Sequence, residues 1–69
     1  MPTQKPTGLS TEEQQLLKLL ADGLTTEVAG RQLDRSDRTI RRRMTSVCDH
    51  FGVDTRIQAI AEAARQGLI

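Results

Sequence analysis

Ser36-Asp37-Arg38-Thr39-Ile40-Arg41-Arg42-Arg43-Met44-Thr45-Ser46-Val47-Cys48-Asp49-His50-Phe51 is the stretch whose reading decides the fold. Ile40, Met44, Val47 and Phe51 recur at spacings of four, three and four, which places them on one face of a helix. Arg38, Arg42, Thr45 and Asp49 fall on the opposite face, with Arg41 beside them. One helix, 36–51, therefore carries an apolar back and an arginine-rich front, close to the size and chemistry that a DNA major groove accepts.

Working outward, Ser36 is a natural N-cap, and Asp34-Arg35-Ser36 forms a short polar turn before it. Upstream, a helix is predicted over 25–33, with Thr25 as N-cap, Ala29 and Leu33 toward the core and Val28 flanking them. Gly30 stands in its middle, where glycine costs about 1 kcal/mol relative to alanine. Its presence predicts that a neighbouring helix passes too close for a side chain. Two helices joined by a tight turn make a helix-turn-helix.

A first helix spans about 10–22. Ser10-Thr11-Glu12-Glu13 has the spacing of a capping box, Leu9 suits a hydrophobic staple, and Gly23 suits the left-handed position after the last turn. Leu16, Leu17 and Leu20 form its buried stripe, with Leu19 at the edge. A fourth helix spans about 55–67, opened by a second capping box, Thr55-Arg56-Ile57-Gln58, and ended by Gly67. Its predicted core stripe is Ile57, Ile60, Ala61, Ala64 and Leu68. The far side then carries Ala59, Glu62, Ala63 and Gln66, where two alanines four apart would let the same helix of a second copy approach. The expected fold is all-α, a four-helix bundle containing a helix-turn-helix over residues 9–69. Residues 1–8, with both prolines and no core-forming residue, read as a disordered tail or linker.

Composition narrows the function classes. With 69 residues the chain is one small domain with a thin core. Phe51 is the only aromatic residue, so the core is aliphatic and stacking on single-stranded bases is disfavoured. The net charge is only +1, but six arginines and two aspartates put +4 on residues 31–43, leaving −3 on the rest. Cys48 is the only cysteine, which removes an intrachain disulfide and makes a reducing cytosol the default. No apolar run approaches the roughly 20 residues that span a bilayer. Cys48 and His50, two apart on a helix, point in different directions, and no second Cys or His is present to complete a metal site. With one histidine, no phosphate loop and no paired carboxylates, the chain is expected to be neither an enzyme nor a binder of cofactor or metal.

The wider pattern, read across all four helices, is also informative. Leu9-Ser10, Glu13, Leu16-Leu17, Leu20-Ala21, Gly23-Leu24-Thr25, Leu33, Ser36, Thr39-Ile40-Arg41, Val47, Phe51-Gly52-Val53, Arg56, Ala59-Ile60 and Gly67-Leu68-Ile69 resemble the LuxR-type (GerE-like) DNA-binding domain. The resemblance covers residues 9–69. It implies the C-terminal output domain of a bacterial transcription regulator, cytoplasmic and nucleoid-associated, binding DNA as a homodimer, with RNA polymerase as a further candidate partner. Departures from the family pattern include Arg35, where an aliphatic residue is usual, Ala29-Gly30 for isoleucine and alanine, Arg43 for a histidine and His50 for a lysine.

Arg41, Arg42 and Thr45 match family positions that reach base edges. Arginine can pair with guanine O6 and N7, and threonine can touch a thymine methyl. Thr25, Thr26, Arg38, Thr39 and Arg43 are the expected phosphate contacts. Arg38 sits in a first turn, where a cation opposes the helix dipole unless a phosphate neutralises it. Arg43 lies toward the core edge and could instead cover apolar surface with its stem. Arg31 and Arg35 are expected to add long-range attraction only. Glu13 and Arg56 are expected to pair across helices 1 and 4. Ala59, Glu62, Ala63 and Gln66 are the expected dimer interface. Two alternatives stay open: a sigma-factor region-4-like domain, and a protein-interaction module that kept the helix-turn-helix shape without an operator.

Overall fold

In the computed structural model, residues 8–69 are described; residues 1–7, most of the expected tail, lie outside them. Four helices follow in order: α1 Thr11–Ala21, α2 Thr26–Leu33, α3 Asp37–Phe51 and α4 Arg56–Arg65. Among the described residues there is no strand, and no helix is long and apolar enough to cross a membrane.

Each helix starts where a hydroxyl side chain can take a first-turn amide. Ser10 accepts from the Glu13 amide at 3.1 Å while Glu13 Oε1 accepts from the Ser10 amide at 2.9 Å, closing the first capping box. Thr55 and Gln58 form the second. Thr25 accepts from the Val28 amide and Ser36 from the Thr39 amide, at 3.1 and 3.2 Å. α2 ends on an unusual residue: Asp34 adopts the left-handed conformation with φ 58°, the only non-glycine to do so among the described residues. The reversal is closed by the Arg35 amide donating to the Gly30 carbonyl at 2.8 Å. This bend turns the chain from α2 into α3.

The core contains Leu16, Leu17 and Leu20 from α1, Ala29 from α2, Ile40, Met44 and Val47 from α3, and Leu9 from the segment before α1. Leu33 and Phe51, expected inside, are only half-buried at its margin. A Cβ on Gly30 would lie 3.1 Å from both the Arg35 carbonyl oxygen and Ile40 Cγ1. The close approach predicted from that glycine is present, and its partners are the turn backbone and α3.

α4 is rotated from its expected register. Ala59 and Ala63 have no exposed surface, whereas Ile57 is 74% exposed and Ala61 and Ala64 face solvent. The expected core stripe is therefore wrong at Ile57, Ala61 and Ala64, and holds partly at Ile60 and Leu68. The expected dimer interface is wrong at Ala59 and Ala63. Their small side chains let α4 settle against α1 and α3, and no second copy can reach them. The expected Glu13–Arg56 ion pair does not form: Glu13 is buried within its capping box and Arg56 is exposed.

At the C-terminal end of α3, His50 is exposed but its ring has close neighbours. Its ring meets Phe51 edge-on at 5.0 Å, and Gly8 passes so close that a Cβ there would lie 2.8 Å from His50 Cε1.

Candidate nucleic-acid interface

α3 fixes its orientation through its back. Ile40 and Val47 have no exposed surface and Met44 is 8% exposed, so the opposite face must point to solvent. Asp37, Arg38, Arg41, Arg42 and Thr45 are all exposed on it. Thr39 and Arg43 lie at its margins, half-buried. The three residues predicted to reach bases and the foremost predicted phosphate ligand thus share one open surface.

The side chains on that surface are not equivalent. Arg38 and Arg42 have no acidic partner within 4 Å among the described residues. Arg41 is held from within the helix, its Nη2 lying 3.1 Å from Asp37 Oδ2. Thr45 donates its hydroxyl to the Arg41 carbonyl at 3.1 Å, which leaves its methyl group and oxygen lone pairs for an outside partner.

Arg43 behaves differently. Its Nε is buried, makes no hydrogen bond and lies 3.5 Å from Glu12 Oε2 in α1. Arg35 takes the hydrogen bonds of that same carboxylate, donating through Nε and Nη2 at 2.9 and 3.0 Å. Arg35, expected to add only diffuse charge, is a structural tie between the turn and α1. The Arg35 hydrogen bonds, and then the charges of Arg35 and Arg43, hold the Glu12 carboxyl below the usual carboxylate range against the opposing effect of desolvation. Glu12 was not legible as a site residue, because its partner lies 23 residues away. The Asp37–Arg41 pair was legible from its i, i+4 spacing.

The start of α2 borders the same side. A surface hollow is lined by Thr26, Glu27, Gly30, Arg31, Arg35 and Asp37, so the first turns of α2 and α3 open onto common ground. The Thr25 hydroxyl caps α2, and the Thr39 hydroxyl oxygen accepts from the Ser36 hydroxyl at 3.1 Å. Free amides and hydroxyls at such helix starts suit phosphate oxygens.

Among the described residues, no cluster of three His, Cys, Asp or Glu side chains could hold a metal. Cys48 is half-buried, and burial first, with Asp49 and Asp54 after it, pushes its thiol up, so it stays protonated at neutral pH.

The sequence and the fold have counterparts among known proteins. A family profile described as "Bacterial regulatory proteins, luxR family" matches residues 7–63. The "Transcriptional regulatory protein YdfI" of Bacillus subtilis (strain 168) is 32% identical over 63 residues, 91% of this chain and 30% of that protein. The chain thus spans less than a third of the length of that relative. A solved structure, "Structure of Transcription factor, GerE", superposes with a TM-score of 0.83 at 32% identity, covering 87% of this chain and 90% of the other.

Proposed function

We propose that this chain, which belongs to the luxR family of bacterial regulatory proteins, binds duplex DNA sequence-specifically as the output domain of a transcription regulator, with α3 in the major groove. The observation that carries this is the exposure of Arg38, Arg41 and Arg42 on a helix whose back, Ile40, Met44 and Val47, is locked into the core. A rigid helix presenting unburied arginines is what groove reading requires.

In this reading Arg41 and Arg42 pair with guanine edges and Thr45 touches a thymine methyl. Thr25, Thr26, Arg38 and Thr39 hold phosphates and set the register of the helix. Arg43 contributes less than Arg38, because Glu12 competes for its guanidinium.

The protein acts in the cytoplasm, on the nucleoid. Pairing on DNA as a homodimer is supported by the outward face of α4, where Ile57, Ala61 and Ala64 leave apolar surface in solvent. Glu62, half-buried, and Gln66, exposed, lie beside it. RNA polymerase as a further partner rests on family membership alone.

A salt titration of duplex binding tests the reading. Log affinity should fall linearly with log salt, by about 0.9 for each phosphate neutralised by a basic side chain. Among the phosphate ligands Arg38 is the cation, so it contributes about −0.9 of the slope for each domain bound, while the neutral threonines position the helix and release no counterions. Binding that is absent, or that has no salt dependence, would favour a protein-interaction module instead.

A further inference from the structure

The geometry points to Asp37 as a specificity-determining residue: it steadies the Arg41 guanidinium for base reading and penalises docking on duplexes where Arg41 finds no guanine. This rests on the duplex-binding reading above and adds to it a role for an acidic side chain that reading does not use.

Asp37 Oδ2 and Arg41 Nη2 lie 3.1 Å apart, and both side chains are mostly open to solvent. One such contact occupies part of a guanidinium that carries five donors, and a guanine edge takes two. Arg41 can therefore hold Asp37 and a base at the same time. An arginine chain loses rotamer freedom when it docks, and a chain already held near its bound position loses less. Arg41 is the one front arginine so held. Arg38 and Arg42 have no acidic partner among the described residues, and Arg43 is drawn toward α1.

The second half of the inference is electrostatic. Asp37 opens the helix that would enter the groove, so its charge stands among phosphates on any sequence. Where Arg41 meets a guanine, the pair docks as a neutral unit. Where it does not, the carboxylate still carries its cost beside the phosphates, and no base contact of Arg41 offsets that cost. A carboxylate in a first turn also suits the helix dipole. That role alone would affect folding and all duplexes alike.

The test uses duplexes enriched from a random pool by the unaltered protein. Affinity is measured at fixed salt for the enriched duplex, for a version changed at the base pair that loses preference in Arg41→Ala, and for an unrelated duplex. Asp37→Asn should tighten binding to the unrelated duplex and shrink the preference at the Arg41 base pair by roughly three- to ten-fold. Asp37→Glu, which keeps a carboxylate one turn from Arg41, should retain most of that preference. In the Arg41→Ala background, Asp37→Asn should leave base preference unchanged. An equal shift on all three duplexes, or a full effect of Asp37→Asn without Arg41, would overturn the role of Asp37 alone. Failure of the unaltered protein to enrich any duplex would instead overturn the duplex-binding reading beneath it.

Discussion

Glu12, in the first turn of α1, receives both Nε and Nη2 of Arg35, at 2.9 and 3.0 Å, tying the helix-turn-helix bend to the first helix. Arg35 stands where the family resemblance leads one to expect an aliphatic side chain, and it makes a two-pronged ion pair on the surface. The tie bears on stability through pH. Glu12 titrates below the ordinary carboxylate range in the folded chain, chiefly through the Arg35 hydrogen bonds. A lowered folded value means that the contribution is complete at neutral pH. It is lost as pH falls from the ordinary carboxylate range down through the lowered one. The melting temperature should therefore drop in acid, and Glu12→Gln should flatten part of that drop. Because the pair is exposed, the difference should shrink in high salt. Parallel acid curves for the two proteins would show that the tie does nothing for stability.

Gly30 tests the packing of the bend. With 3.1 Å to a backbone carbonyl and to Ile40 Cγ1, an added methyl group has little room. Gly30→Ala should come out within about 1 kcal/mol of the parent, as the gain in helix propensity offsets the crowding. Gly30→Leu should cost at least 1–3 kcal/mol, roughly the usual range for overpacking. Urea unfolding measures both.

The corrected register of α4 gives two alanines opposite fates. Ala63→Arg forces a charge into a site with no exposed surface and should unfold the domain, with a loss of several kcal/mol, on the order expected for an unpaired buried charge. Ala61→Arg, on the open face, should leave the folding free energy within about 0.5 kcal/mol of the parent. It should abolish cooperative binding to a duplex with two half-sites while sparing half-site affinity. Retained cooperativity would place the pairing surface elsewhere.

On α3, Arg42→Ala should weaken binding to the preferred duplex by about 1–3 kcal/mol and relax preference at one or two base pairs. Arg38→Ala should weaken binding to every duplex and flatten the salt slope by about 1. Titrations at several salt concentrations separate the two patterns.

Much of this was legible in the sequence because it is local. The capping residues Ser10, Thr25, Ser36 and Thr55 act on amides three residues away. The exposed arginine-bearing face of α3 follows from the strict spacing of Ile40, Met44 and Val47. Gly30 announced its close neighbour by being the wrong residue for a helix interior. α4 misled for a physical reason. Ile57, Ala61 and Ala64 make the more apolar stripe, and apolar stripes are expected to face the core. Here the close approach to α1 and α3 seats the small Ala59 and Ala63, with Ile60 and Leu68 partly buried beside them, and turns Ile57, Ala61 and Ala64 outward. The Glu12–Arg35–Arg43 cluster was hidden because it depends on how α1, the bend and α3 meet, which no local pattern encodes.

The most direct test of the central claim is selection from a random duplex pool by the unaltered protein and by Arg42→Ala. The account predicts enrichment of a short motif containing guanine by the first, and a motif degenerate at one or two positions by the second. Recovery of an unenriched pool by the unaltered protein, or of the same motif by both, would contradict α3 as the element that reads the sequence.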